Sequence, residues 1–345
     1  MLNNSSILLV AIFCLAFGTV EAQFRIKAVG DVMFGSFTPS LEVPENNGAE
    51  FLPIAKYLTD ASLVFGNLEG SFATNSMTAS KCSQASRNAG RCYEFGMPVT
   101  LAPLLKKLGI TVVSLDNNHS EDYGVEGYTF TQKTLDDNGI SFAPKKGYST
   151  LQYGITSVGV VAFGFSSTSY TVSDIENAKK VVSKLSKKFD ILIVSFHGGA
   201  EGRKALNTPK TAEVFMGEQR GNLPLFAKTV IDAGADLVLG HGPHVLRGME
   251  LYKDRLILYS MGNFLTYGHF NLKNENGITA IFDLTLDAKT GSFQKGTIIP
   301  IIQRGKGVPD YDSTKSAIPL LQRLTAEDFP ETPLKISDNG DIIKQ

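Results

Sequence analysis

Five short apolar runs rich in β-branched residues recur along the chain, each closing on a polar or glycine-bearing turn: FRIKAVGD (24–31), SLVFGN (62–67), ITVVSLDNN (110–118), DILIVSFHGG (190–199) and ADLVLGHG (235–242). Runs that stay apolar instead of alternating predict buried strands of a parallel sheet. Between them, apolar positions spaced three and four apart predict helices over 50–61, 99–109, 127–139, 174–188 and 222–234. Ser173 and Glu176 have the spacing of a capping box at the fourth helix, and Gly109, Gly139 and Gly234 stand where helices are expected to end. The segments 151–164, 251–264 and 277–287 read instead as hairpins or antiparallel strands. Together these predict a layered α/β fold, with mixed β-sheets flanked by helices. There is no internal repeat. Residues 304–345 are more polar and predict a short helix and a C-terminal tail.

The amino end breaks this pattern. SILLVAIFCLAF is an apolar stretch of leader-peptide length, and Val20 and Ala22 suit cleavage after Ala22, which predicts export with Gln23 as the mature N-terminus. The alternative is an uncleaved membrane anchor, because no basic residue precedes the apolar stretch. Cys14 lies inside that stretch without the small residues a lipid-anchor signal carries. The expected division is therefore a signal peptide at 1–22, one domain at 23–303 and a tail at 304–345.

Composition adds bounds. A chain of 345 residues that is 43% hydrophobic and 19% charged can bury a sizeable core. Without Glu21 the mature chain carries 33 acidic groups against 33 basic ones, a balance that gives no footprint for nucleic acid. Cys82 and Cys92 flank the polar loop SQASRNAGR, and in an exported protein a disulfide is the economical reading.

The candidate chemistry lies at the carboxyl ends of the predicted strands. Asp31 ends the first, Asn67 and Glu69 the second, Asn117, Asn118 and His119 the third, His197 the fourth, and His241 with His244 the fifth. In an open parallel sheet these ends share one crevice where ligands bind. Four of the five histidines thus converge on one rim. Pro243 disfavours a helical Gly242, so HGPH reads as a turn able to aim both imidazoles into the crevice. Imidazole, carboxylate and amide oxygen together suit one or two divalent ions such as Zn, Mn, Fe or Ni better than an all-oxygen calcium site. The chain has no P-loop lysine after GVVAFGFSS and no G-x-S-x-G elbow. The lysines at 179, 180, 184, 187 and 188 read as a solvated helix face, and His269 as a surface residue.

At GDVMFG (30–35), GNLEGSF (66–72), NNHSEDYG (117–124), SFHGGAE (195–201), DAGADLVLGHGPHVLRGMEL (232–251) and LILYSMGNF (256–264), the chain resembles the CapA-type capsule or poly-γ-glutamate synthesis proteins, relatives of the calcineurin-like metallophosphoesterases. The resemblance implies a metallophosphoesterase-like fold. It further implies Asp31 as ligand to a first metal, Asn118 and His197 to a second, His241 and His244 completing the pair, and His119 as the general acid. Glu69 stands where a bridging Asp is expected, with Asn67 competing for the role. Asp122 and Tyr123 are candidates to support His119, Glu201 and Arg203 to bind substrate anions, and Asn263 to face the crevice. The sequence departs from the superfamily at D-x-H, which is Asp31-Val32-Met33, and at H-x-H, which is His241-Gly-Pro-His244. The implied partner is an anionic cell-surface polymer or a phosphate-containing substrate, with envelope assembly proteins beside it. The implied activity is hydrolysis, the alternative being a non-catalytic binding or assembly factor.

Overall fold

The computed structural model describes residues 23–345. The leader at 1–22, its cleavage after Ala22 and Cys14 lie outside the described residues. No described helix is long and apolar enough to cross a membrane.

Two sheets stack face to face. In the larger, ten-stranded sheet the path runs Leu334–Ile336, Asp341–Lys344, Phe293–Arg304, Ile278–Asp287, Gln23–Met33, Leu63–Leu68, Val112–Ser114 and Ser141–Ala143. Asn263–Thr266 and Val308–Tyr311 attach to Gln23–Met33 and Phe293–Arg304. The six-stranded sheet runs Met249–Tyr252, Arg255–Leu258, Leu237–His241, Ile191–His197, Thr156–Phe163 and Tyr148–Tyr153. The continuous apolar runs are explained by burial on both faces. Ile191 and Ile193 point into the core between the sheets with Ile26, Phe65, Leu237 and Leu239, while Leu192 and Val194 point outward under the helices Ile175–Leu185 and Leu223–Asp232. On the other side Val64 and Val113 pack under Pro103–Leu108 and Gly124–Asp137 through Leu104, Leu108 and Leu135. The result is four layers, helix, sheet, sheet and helix.

Several expectations shift. The predicted helix at 50–61 is a 3₁₀ segment, Glu45–Tyr57, with Pro53 inside it, where a missing N–H breaks the α ladder. The cap of Ile175–Leu185 is Asp174, whose side chain accepts from Asn177 N–H at 3.1 Å, so the Ser173–Glu176 box does not form. The run at 110–118 is strand only over Val112–Ser114, because the following residues leave the sheet to build the rim described below. Residues 304–345 are not a loose tail. The helix Ala317–Asp328 buries Ile318, Leu321 and Leu324 in the core between the sheets, and two strands beyond it join the larger sheet.

The parallel strands Gln23–Met33, Leu63–Leu68 and Val112–Ser114 of one sheet, and Ile191–His197 and Leu237–His241 of the other, bring their carboxyl ends to one rim. Register does the alignment: Asp31 lies opposite Asn67 and Asn263, and His241 opposite His197.

Candidate metal centre

Two glycines let backbones meet at this rim. A Cβ on Gly30 would stand 1.8 Å from the Gly262 carbonyl oxygen, the same oxygen that accepts from Asp31 N–H at 2.9 Å. Gly242 has φ +112°, and a Cβ there would stand 2.5 Å from Gly198 O, where Gly198 N–H donates to His241 O at 2.9 Å. HGPH is a turn, and His244 within it takes the left-handed φ of 56°.

Amides tie the rim together. Asn67 Nδ2 donates to Asp31 Oδ1 at 2.8 Å and to Glu69 Oε2 at 2.5 Å. Asn117 Nδ2 donates to Asn67 Oδ1 at 3.0 Å and to Leu68 O at 2.8 Å, and its Oδ1 accepts from His119 N–H at 3.0 Å. Asn67 and Asn117 therefore have their oxygens engaged in the scaffold, whereas Glu69 keeps Oε1 without a partner. His244 Nδ1 lies 2.9 Å from Asp31 Oδ2 and 3.1 Å from Asn263 Oδ1, which fixes its proton on Nδ1. His241 Nδ1 is 3.3 Å from Asp31 Oδ1, close enough for an ion pair but not aligned as a hydrogen bond.

Electrostatics follow from this crowding. Burial opposes ionisation of Asp31, but the imidazoles of His241 and His244 outweigh it and hold the carboxyl below its ordinary range. Burial, reinforced by the charge of Asp31, pushes Glu69 up to about 8. Burial lowers His197 well below an ordinary imidazole. For His244 the burial penalty is overcome by the Asp31 hydrogen bond and charge, which raise it to about 10.

Among the described residues no group of three or more His, Cys, Asp or Glu side chains is placed to hold a metal ion, and the Asp31 carboxylate contacts the imidazoles of His241 and His244 directly. The kinds of donor left unpartnered nonetheless suit a divalent ion. Glu69 Oε1, Asn118 Oδ1 and both ring nitrogens of His197 and of His241 are buried without a hydrogen-bond partner. Leaving so many polar atoms unpaired in one spot costs about 1–3 kcal/mol each unless something satisfies them.

His119 stands beside this set. Its Nδ1 is 2.6 Å from Asp122 Oδ2, which also accepts from Phe95 N–H at 2.6 Å, and Lys81 Nζ pairs with Asp122 Oδ1 at 3.0 Å. Its ring lies 4.2 Å from that of Phe95. Burial lowers the His119 pKa, with the Asp122 charge acting against it. His119, Asn118, His244 and Asn263 line a crevice of about 660 Å³.

The remaining candidates divide. Glu201 lines the crevice but holds Arg220 at 3.0 Å. Arg203 is half exposed and held by Glu275, and it lines an adjoining pocket that shares Glu201 and Asn276 with the crevice. His269, expected as a surface residue, lines the crevice, with Nε2 3.0 Å from Ser40 O. Tyr123 hydroxyl approaches Thr38 and not His119. Sequence reasoning missed Arg220, which projects into the crevice from the hairpin Glu213–Phe215 and Glu218–Gly221 with its guanidinium 3.9 Å over the Phe165 ring. The only local signal was the Met216-Gly217 turn. The expected bridge between Cys82 and Cys92 is present, with Cα atoms 5.8 Å apart.

Among known proteins, the chain is 27% identical to the capsule biosynthesis protein CapA of Bacillus anthracis, over 70% of this chain and 60% of that one. It is likewise 27% identical to the PGA biosynthesis protein CapA of Bacillus subtilis, over 69% of this chain and 62% of that one. The chain thus spans about 60% of the length of these curated relatives. Among solved structures, a phosphatase from Mycoplasma pneumoniae superposes with a TM-score of 0.49 at 14% identity, covering 86% of this chain and 96% of that one. A putative 5′-nucleotidase of Staphylococcus aureus superposes at 0.48 and 15%, covering 88% and 58%. Residues 25–267, which contain every strand end of the rim, match the family described as bacterial capsule synthesis protein PGA_cap, and the chain belongs to that family.

Proposed function

We propose that this member of the capsule-synthesis family is an exported, metal-dependent hydrolase acting on an anionic cell-surface polymer or a phosphate-containing substrate. The observation that carries the reading is the set of buried, unpartnered donors on Glu69, Asn118, His197 and His241 standing beside the His119–Asp122 pair. Asp31, Glu69, Asn118, His197, His241 and His244 would hold one or two divalent ions of the Zn, Mn, Fe or Ni kind. Such an ion would supply Lewis acidity and neutralise charge developing on the substrate.

The chain's own groups do the rest. Asp122 holds His119 at Nδ1, which leaves Nε2 as the nitrogen to carry a proton to a leaving oxygen. Asn117 fixes the His119 backbone, so the acid keeps its place relative to Asn118. Export is supported by the Cys82–Cys92 bridge, a bond kept in oxidising compartments.

A second reading, a non-catalytic binding or assembly factor working with envelope proteins, is favoured by Met33. Its thioether is fully buried and accepts from Gly35 N–H at 3.1 Å, so the position offers no imidazole.

One experiment separates the two. Protein purified without chelator is expected to carry one or two divalent ions, with His197→Ala and His241→Ala lowering the content, and to turn over aryl phosphomonoesters, phosphodiesters or poly-γ-glutamate. His119→Asn should keep its metal and lose about 10²–10⁴ in rate. If wild type turns over none of these and binds the polymer no differently from His119→Asn, the binding reading stands instead.

A further inference from the structure

Three lysine and arginine side chains line the crevice: Lys81, Arg91 and Arg220. Two of them are already neutralised. Lys81 pairs with Asp122 at 3.0 Å, and Arg220 with Glu201 at 3.0 Å and Glu218 at 2.8 Å. Arg91 is exposed at the crevice wall, and among the described residues its guanidinium has no acidic partner.

Its backbone, by contrast, is firmly held. Arg91 N–H donates to Ser86 O at 3.0 Å, and the next residue is bridged to Cys82. Glu94 ties the loop from behind, accepting from Cys82 N–H at 2.8 Å and from Arg87 at 2.6 and 3.0 Å. A second loop cation, Arg87, is consumed in that tie. The loop therefore presents one unengaged positive charge from a braced backbone, which lowers the ordering cost of binding an anion there.

We infer that Arg91 is a ligand-binding residue that takes an anionic group beyond the one held at the strand-end rim, so that the ligand is an oligoanion instead of a single small anion. This rests on the proposed function only for the position of the reacting group. The crevice, at about 660 Å³, has room for more than a single small anion. The shared chemistry is a row of carboxylates or phosphates; a guanidinium serves either.

The test is equilibrium binding to the oxidised chain, read without turnover. The probes are a labelled γ-linked glutamate oligomer, a labelled inorganic polyphosphate, and inorganic phosphate as the single-anion control. Arg91→Gln should weaken at least one oligomer about 5–10-fold, Arg91→Glu more, and Arg91→Lys should recover most of the loss. Inorganic phosphate should bind all four proteins equally. The oligomer that responds identifies the anion. The Cys82→Ser/Cys92→Ser double variant, checked for an intact fold by circular dichroism, should weaken the same oligomer. Wild-type affinity of Arg91→Glu for both oligomers, equal weakening of inorganic phosphate, or no oligomer binding by wild type would each overturn the inference. A protein that binds through Arg91 yet hydrolyses nothing refutes the hydrolase reading alone.

Discussion

Arg247 is among the largest fully buried side chains, and all three nitrogens of its guanidinium donate: to Glu213 at 2.8 and 2.9 Å, to Ala205 O at 2.7 Å and to Ala200 O at 3.2 Å. It thereby fastens the loop that carries Glu201 and the hairpin that carries Arg220 onto the segment following His244. Arg247→Met should destabilise the protein by about 3–5 kcal/mol, because it strands the Glu213 carboxylate in the interior, while Arg247→Met combined with Glu213→Leu should recover much of that loss. Urea unfolding of the two variants measures the difference, and equal loss in both would show that the pair is not what holds the loop. Nothing in the sequence around Arg247 announced this role. An arginine in LRGMEL reads as a surface cation until the fold wraps three backbone segments around it.

The strands and the hairpins were legible because their signals are local. An apolar run bounded by Gly and Asn predicts Ile191–His197 or Leu237–His241 without reference to anything distant. The parallel arrangement then forces their polar last residues together, which is why four histidines could be placed on one rim from the chain alone. What was not legible depends on partners remote in sequence, such as the Arg220 stack on Phe165 or the fold-back that brings His269 to the crevice. Strand ends also carry a titration. Asp236, buried at the start of Leu237–His241, accepts from Leu192 N–H at 2.9 Å and from Arg255 at 3.0 Å, yet burial still raises it to about 6. An acid raised above its unfolded value near 4 favours the folded state fully below that value and loses this contribution as pH climbs through 6. Wild type should therefore lose about 2–3 kcal/mol relative to Asp236→Asn between pH 4 and pH 7. Parallel stability curves for the two proteins across that range would contradict the assignment.

For the molecule as a whole, the C-terminal segment matters more than its polarity suggested. Ile318, Leu321 and Leu324 are inside the core, and Asp341–Lys344 covers the edge of Phe293–Arg304. A chain truncated after Arg304 is expected to be insoluble or to lose its near-ultraviolet circular dichroism, and a soluble, fully structured truncation would return those residues to the status of a tail. The polar face of the helix Ala317–Asp328 disguised its role, since an amphipathic helix at an edge shows the core only one stripe. The topology also sets an order of assembly. Gln23–Met33 finds one neighbour, Leu63–Leu68, soon after it, but its others are Asn263–Thr266 and Ile278–Asp287. A nascent polypeptide must reach Asp287 before its first described strand is enclosed, and such non-local pairing is the kind that slows folding. Until then that strand is an open edge able to pair with other chains. A polypeptide that stays unfolded until it is complete is also one that can still be threaded, extended, through a narrow channel.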